Sequence, residues 1–461
     1  MKPNILLILV DDLGYGDTSC YNPESKIRTP NLDRLAAEGH RLTAAYAPSS
    51  ICTPTRYAMF TGRYAWRGAL KAGVLGTYAP PLIEPDRPTL SGTLRDAGYQ
   101  TACVGKWHLG WNWPTVDGKP PRAEGNDPAV IANRVDYAGK ITGGPLDYGF
   151  DYYYGEDVVN YPPYMFIEND RFAAPPAGMR TKFSPCLYGF PPGMTSADWD
   201  DSEVEPRQRD KVIEYLKNYA AQPAQKPFLL YWASTAVHEP LTPSKEFAGR
   251  TGLGPYEDFA VQLDDSVGRV MRTLDELNLR DNTIVIFVSD NGPVRAKLQS
   301  GHECAGGWFG IKTTNWEGGH RVPFIVNWPG RVPAGTRSDE IFCLVDIFAC
   351  LTGLIDQPAP SAASDSVNLS PLMLGQPGAT GRKSVILNPW NNVLGIREGN
   401  WVYLDHAGSG GEMKDVQTLP TQLYDLSQDP RQQTNLVEQY PDLAQELKAE
   451  LERIRKADLT S

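Results

Sequence analysis

The chain lacks the features that would put it in a membrane or on a nucleic acid. No stretch approaches the roughly 20 consecutive apolar residues of a spanning helix. Lys and Arg number 44 against 55 Asp and Glu, a net charge of −11, and they form no basic run, so a phosphate backbone meets no clustered counter-charge. Histidine is scarce, six in all, too few to build a zinc cluster beside His108 and His238. The seven cysteines (20, 52, 103, 186, 304, 343 and 350) contain no Cys-x-x-Cys pair, the usual spacing of structural zinc and dithiol redox sites. No internal repeat or low-complexity tract is present. Any anionic ligand must therefore be drawn in by a local positive site.

What the chain does have is core material. Apolar residues make up 41% and charged residues 21% of 461, which suits a large α/β domain with a smaller appendage. Near the start, Ile5-Leu6-Leu7-Ile8-Leu9-Val10 is too short for a signal h-region and is followed at once by Asp11-Asp12. It reads as a parallel strand, Asn4–Val10, buried on both faces. Its carboxyl end, where α/β sheets place ligands, carries Asp11 and Asp12. Either the protein is cytosolic or a leader has been removed and the chain is periplasmic or secreted.

The same pattern recurs along the chain. A strand over Tyr99–Val104 delivers Lys106 and His108, two residues apart and so on one side of an extended chain. A strand over Pro227–Ala233 leads to His238, and a strand over Thr283–Ser289 ends in Asp290-Asn291-Gly292. Helices are expected over Thr29–Gly39, Pro88–Ala97, Gln208–Ala221, Tyr256–Leu277 and Leu443–Ile454, from their caps and apolar spacing. Between Trp111 and about residue 200 periodicity fails and aromatics dominate, the composition of a lid or wall. His40, His320 and His406 read as structural or solvated.

The stretch around which the rest is organised is Pro48-Ser49-Ser50-Ile51-Cys52-Thr53-Pro54-Thr55-Arg56, followed by Phe60-Thr61-Gly62-Arg63. It sets a thiol on a proline-restrained turn, at the mouth of a helix opened by Thr55 and Arg56 and closed by Gly62. A group there meets backbone N–H donors and a cation together, a setting for a nucleophile and an anionic substrate. A lone cysteine is by itself equally a buried structural thiol. Asp11, Asp12, Asp290 and Asn291 together offer only oxygen donors, the preference of Ca²⁺ or Mg²⁺.

Cys52-Thr53-Pro54-Thr55-Arg56, with Phe60-Thr61-Gly62-Arg63, resembles the signature of the type I sulfatases of the alkaline phosphatase superfamily. Gly105-Lys106-Trp107-His108-Leu109-Gly110, the His238-Glu239-Pro240 segment, Gly310-Ile311-Lys312 and Glu317-Gly318-Gly319-His320-Arg321-Val322-Pro323 are similar to further segments of that family. The resemblance spans residue 4 to roughly residue 355 and extends more weakly to Leu423-Tyr424-Asp425-Leu426.

The resemblance implies an α/β fold with a large mixed central sheet sandwiched by helices. A catalytic domain over residues 1–375 and a C-terminal α+β subdomain over 376–461, with a small antiparallel sheet, are expected. It implies a sulfatase in which Cys52 is oxidised to formylglycine and, as the hydrated diol, is the nucleophile. Calcium would be held by Asp11, Asp12, Asp290, Asn291 and residue 52. Arg56 would steady residue 52, Lys106 and Lys312 would bind sulfate, His238 with Lys312 would protonate the leaving alcohol and His108 would act as base. The expected partners are a sulfated carbohydrate, of galactose or N-acetylgalactosamine, and a formylglycine-generating or anaerobic sulfatase-maturating enzyme. Trp113, His302 and Trp308 are candidates for contacting the sugar, because aromatic faces pack on sugar C–H groups. A phosphonate monoester hydrolase or phosphodiesterase of the same superfamily, and a catalytically silent glycan-binding homologue, are the rival readings.

Overall fold

The computed structural model describes residues 2–457 apart from 185, 187–188, 224–225, 296 and 406–420; His406 lies outside the described residues. The chain divides into two compact units, one of residues 1–11 with 75–286, the other of residues 12–74 with 287–461.

The first unit is built on a mixed sheet. Strands Asn4–Val10, Phe228–Ala233, Gln100–Gly105 and Tyr152–Gly155 lie side by side in that order and run parallel, and Ile167–Glu168 and Arg171–Phe172 continue it antiparallel. The first two are buried throughout, as expected where parallel strands are covered on both faces. Helix Val204–Ala220 packs on this sheet and against helix Pro255–Glu276. The stretch expected as an irregular lid is partly sheet. Tyr152-Tyr153-Tyr154 pairs with Ala102-Cys103-Val104, and hairpin Pro176–Arg180 with Gly193–Ser196 follows. Three successive tyrosines suit a strand because their rings alternate across it.

In the second unit, strand Phe324–Asn327 pairs antiparallel with His40–Leu42, which pairs parallel with Thr336–Ser338. Helix Pro30–Ala37 packs on Phe324–Asn327. A four-stranded antiparallel sheet runs Ser384–Leu387, Gly395–Glu398, Trp401–Leu404, Gln422–Asp425, with helix Pro441–Lys456 packed on it. The small antiparallel sheet expected in this part of the chain is therefore present. The boundary expected at 375/376 does not coincide with either unit. The buried side of the small sheet shares one apolar cluster with Tyr46, Ala58, Trp66, Trp316 and Cys343, which ties it to the rest of the second unit.

Candidate active site

The expected catalytic and metal-binding residues follow strand ends or lie in the helix that begins at Cys52, except Lys312, which sits in the loop before helix Glu317–His320, and all are buried. That helix, Cys52–Thr61, starts at Cys52 itself, three residues before the expected Thr55. Its N-cap is Ile51 and its left-handed C-cap is Gly62, whose N–H donates to Ala58 O. The earlier start follows from Thr55, whose N–H reaches Ile51 O at 3.4 Å and whose hydroxyl donates to Ser49 O at 2.9 Å. Cys52 thus stands in the first turn, where backbone N–H groups lack intrahelical partners.

In the second unit, Cys52 Sγ lies within 4.8 Å of an Asp290 carboxylate oxygen. Arg56, with no exposed surface, donates from Nη2 to Asp290 Oδ2 at 2.9 Å. The other Asp290 oxygen accepts Asp12 N–H at 3.3 Å. Asp12 receives Asn291 Nδ2 at 2.8 Å and Lys312 Nζ at 2.7 Å. Two carboxylates and two cations are therefore interleaved out of water, where each charge is tolerable because the next offsets it. Asn291 Oδ1 is buried and has no hydrogen-bond partner. An orphaned buried oxygen beside two carboxylates is what a hard, oxygen-seeking divalent cation would use, so Asp12, Asp290 and Asn291 fit one.

In the first unit, Asp11 is fixed through its backbone, which exchanges hydrogen bonds with Ala236 O at 3.0 Å and Val237 N at 2.6 Å. Its carboxylate takes Lys106 Nζ at 2.5 Å and lies within 4.8 Å of a His238 ring nitrogen. His238 Nδ1 is 2.6 Å from Glu239 O. A carbonyl only accepts, so Nδ1 carries the hydrogen and Nε2 is the nitrogen that exchanges a proton. His108 has the opposite tautomer, because its Nε2 faces Leu75 O at 3.0 Å; its Nδ1 is the basic atom. Burial pushes the neighbouring Asp157 carboxyl up, and the His108 charge opposes this.

Asp12, His108 and Thr313, the residue after Lys312, are non-glycine residues at φ 62°, 53° and 75°. Left-handed backbone at three such positions is strain that surrounding packing must hold, and it gathers at working sites.

Two residues that the sequence did not single out connect these loops. Gln208 Nε2 donates to both oxygens of buried Glu156, at 3.0 and 3.1 Å, while its Oε1 accepts Thr235 N–H at 3.1 Å, three residues before His238. Glu156 O in turn accepts Trp107 N–H at 3.0 Å, between Lys106 and His108. A glutamine near the start of an amphipathic helix gives no local signal of burial; only the fold brings the three segments together.

Two sugar-contact expectations need correction. Trp113 is 4% exposed, stacked on Phe172 and edge-on to Tyr78; it packs the interior and presents no face to a ligand. His302 is 1% exposed, and both ring nitrogens are engaged, Nδ1 by Lys26 N–H at 3.3 Å and Nε2 by Asp17 at 2.8 Å. Because Nδ1 accepts, Nε2 must donate to Asp17, which also argues against a metal on the Asp17, His302 and Cys304 cluster. Trp308 is partly exposed, with the Arg321 guanidinium 3.9 Å from its ring centre.

Buried cations set among carboxylates beside a helix-borne Cys52 suit the hydrolysis of an anionic ester, and residues 3–356 match the sulfatase family. The chain belongs to that family. It is 34% identical to an N-acetylgalactosamine-6-O-sulfatase of Bacteroides thetaiotaomicron, over 98% of this chain and 93% of that one. It is 33% identical to human arylsulfatase A, over 94% and 83%. A solved structure from work on the metabolism of multiple glycosaminoglycans by Bacteroides thetaiotaomicron superposes with a TM-score of 0.85 at 33% identity, covering 99% of this chain and 100% of that one. The protein is a sulfuric ester hydrolase with the mixed α/β sulfatase fold, and the phosphonate-ester and silent-binder readings give way to it. No helix among the described residues is long and apolar enough to cross a membrane.

Proposed function

We propose that the enzyme removes sulfate from a sulfated galactose or N-acetylgalactosamine at the end of a glycan chain, with Cys52 converted to formylglycine and calcium as the metal. The observation that carries the reading is the Cys52, Arg56, Asp290, Asp12 and Lys312 assembly, in which a helix-borne Cys52 faces a carboxylate held by a buried guanidinium. The relative acting on N-acetylgalactosamine 6-O-sulfate, matched along nearly the whole chain, supports the sugar.

Asp11, Asp12, Asp290 and Asn291, with residue 52, would hold the calcium, which when bound supplies positive charge against sulfate oxygens and the nucleophile. Residue 52, as the hydrated aldehyde, supplies a nucleophile with a second hydroxyl. Arg56 orients residue 52 by holding Asp290. Lys106 and Lys312 neutralise charge that grows on the sulfate oxygens as the ester bond lengthens. His238 gives a proton from Nε2 to the departing sugar oxygen, and His108 Nδ1 takes the proton whose loss lets sulfate leave. In each ring the nitrogen that exchanges the proton is the one not turned to its backbone carbonyl, Glu239 O or Leu75 O, and His238 must carry a second proton, as the imidazolium, to act as the acid. Maturation calls for a formylglycine-generating or anaerobic sulfatase-maturating enzyme, and a glycan substrate places the working enzyme in the periplasm or outside the cell.

The test pairs peptide mass spectrometry of residue 52 with sulfate release from 6-sulfated and 4-sulfated N-acetylgalactosamine and 6-sulfated galactose. Turnover should rise in proportion to the converted fraction and should prefer one sulfated sugar over an aryl sulfate. Full activity from protein carrying only unmodified Cys52 would reject the mechanism.

A further inference from the structure

The second unit contains a cleft of about 1050 Å³ whose lining includes none of the catalytic residues. One wall is a run of alternating arginines and rings. The Arg41 guanidinium lies 5.7 Å from the Tyr21 ring centre, Tyr21 meets Tyr15 edge-on at 4.9 Å, Tyr15 meets Trp308 edge-on at 6.2 Å, and Arg321 covers Trp308 at 3.9 Å. Arg337, on strand Thr336–Ser338, adds an exposed guanidinium to the lining.

These side chains are held ready. Arg41 also donates to Cys20 O, and Arg321 is fixed by Glu317 Oε2 at 2.7 Å and Thr43 O at 2.6 Å. Only Asp33 and Asp339 oppose the three arginines within the lining, and Asp33 is occupied by the Ser19 hydroxyl at 2.8 Å. On a chain of net charge −11, a walled group of cations is a deliberate local reversal of the field. Planar guanidiniums match sulfate and carboxylate oxygens in pairs, and pre-stacked ones lose little freedom on binding. A cleft this size accommodates several sugar rings.

We infer that this cleft binds a sulfated stretch of glycan chain, with Arg41 and Arg337 taking sulfate groups and Tyr15, Tyr21 and Trp308 lining the path of the sugar rings. Tyr15 is three residues past Asp12 and Trp308 four before Lys312 in the sequence, so the cleft and the site share loops. The inference rests on the glycan-sulfatase reading. It extends that reading from the sulfate being cleaved to the polymer that carries it, and it makes Trp308 part of a second site.

The test is binding of a sulfated N-acetylgalactosamine hexasaccharide to full-length Cys52→Ala protein, measured by calorimetry, with its unsulfated counterpart and inorganic sulfate as competitors. Arg337→Glu should weaken hexasaccharide binding by about tenfold, more at low salt than at high, while Arg337→Lys retains most of it. Lys383→Glu, the same charge change on an exposed side chain outside the cleft, is the control and should bind as the parent does. Equal binding by Arg337→Glu and parent, loss in Lys383→Glu as large as in Arg337→Glu, or equal competition by inorganic sulfate and by the hexasaccharide would each overturn the inference. Failure of the converted wild-type enzyme to release sulfate from any sugar would instead reject the proposed function, because the binding measurement needs no turnover.

Discussion

A guanidinium with no exposed surface persists only where a carboxylate offsets it, and Arg56 meets that condition through Asp290. The pair does two jobs, holding Asp290 and setting charge beside residue 52. Arg56→Lys keeps the charge but loses the planar fork. It should lower kcat by about a hundredfold, the scale of losing one oriented charge-stabilising contact, at a stability cost of about 1–2 kcal/mol. Arg56→Ala should cost about 3–5 kcal/mol, because Asp290 then keeps a buried charge without its partner. Steady-state kinetics and urea midpoints read the two effects separately, and a lysine variant with parental kcat would remove Arg56 from the mechanism. At this scale the sequence was most legible where the resemblance is carried by one short segment, Cys52 to Arg56, which pointed to the family that residues 3–356 match. It was least legible for the sugar contacts, since Trp113 and Trp308 look alike as letters. One is closed in by Phe172 and Tyr78 and the other borders a cleft, a difference made entirely by partners distant in the chain.

At the scale of elements, strand ends carry most of the residues to which the proposed function gives a role. Asn4–Val10 and Thr283–Ser289 were readable to the residue because unbroken apolar runs stop abruptly at Asp11 and Asp290. Helices were readable to within a few residues, and Val204–Ala220 began a turn earlier than its apolar spacing suggested. That extra turn puts Gln208 inside the helix, where it bridges Glu156 and the backbone before His238. Gln208→Glu replaces the donor with a second carboxylate against Glu156, and like charges at hydrogen-bond distance raise the pKa of one of them. Activity should fall by about tenfold at neutral pH and recover toward parental values on acidification, as a proton restores the bridge. Gln208→Leu should lose activity without that recovery. A pH profile for Gln208→Glu that merely scales down the parental curve would show that the bridge supports the fold and does not set the loops.

At the scale of the molecule, buried histidine makes stability depend on acid. Burial pushes His320 down to about 4 from its ordinary 6.5, against the pull of its hydrogen bond to Ala47 O. The folded chain therefore holds His320 neutral where the unfolded chain would already bind a proton. Stability should fall as pH drops from about 6.5 toward 4, by up to roughly 3 kcal/mol, and then level off. His320→Gln should flatten this slope in urea melts taken across that range; identical slopes would place the acid sensitivity elsewhere.

The same depth of burial governs the enzyme's history. All ten residues of the helix that begins at Cys52 are buried, so no catalyst of comparable size reaches that sulfur once the chain has folded. The oxidation proposed for residue 52 would therefore belong to the interval between synthesis and folding, and a molecule that folded with its thiol intact would never gain the proposed nucleophile. On that proposal the specific activity of any preparation would record a race run once per chain, between a maturing enzyme and the collapse of its own substrate into a core.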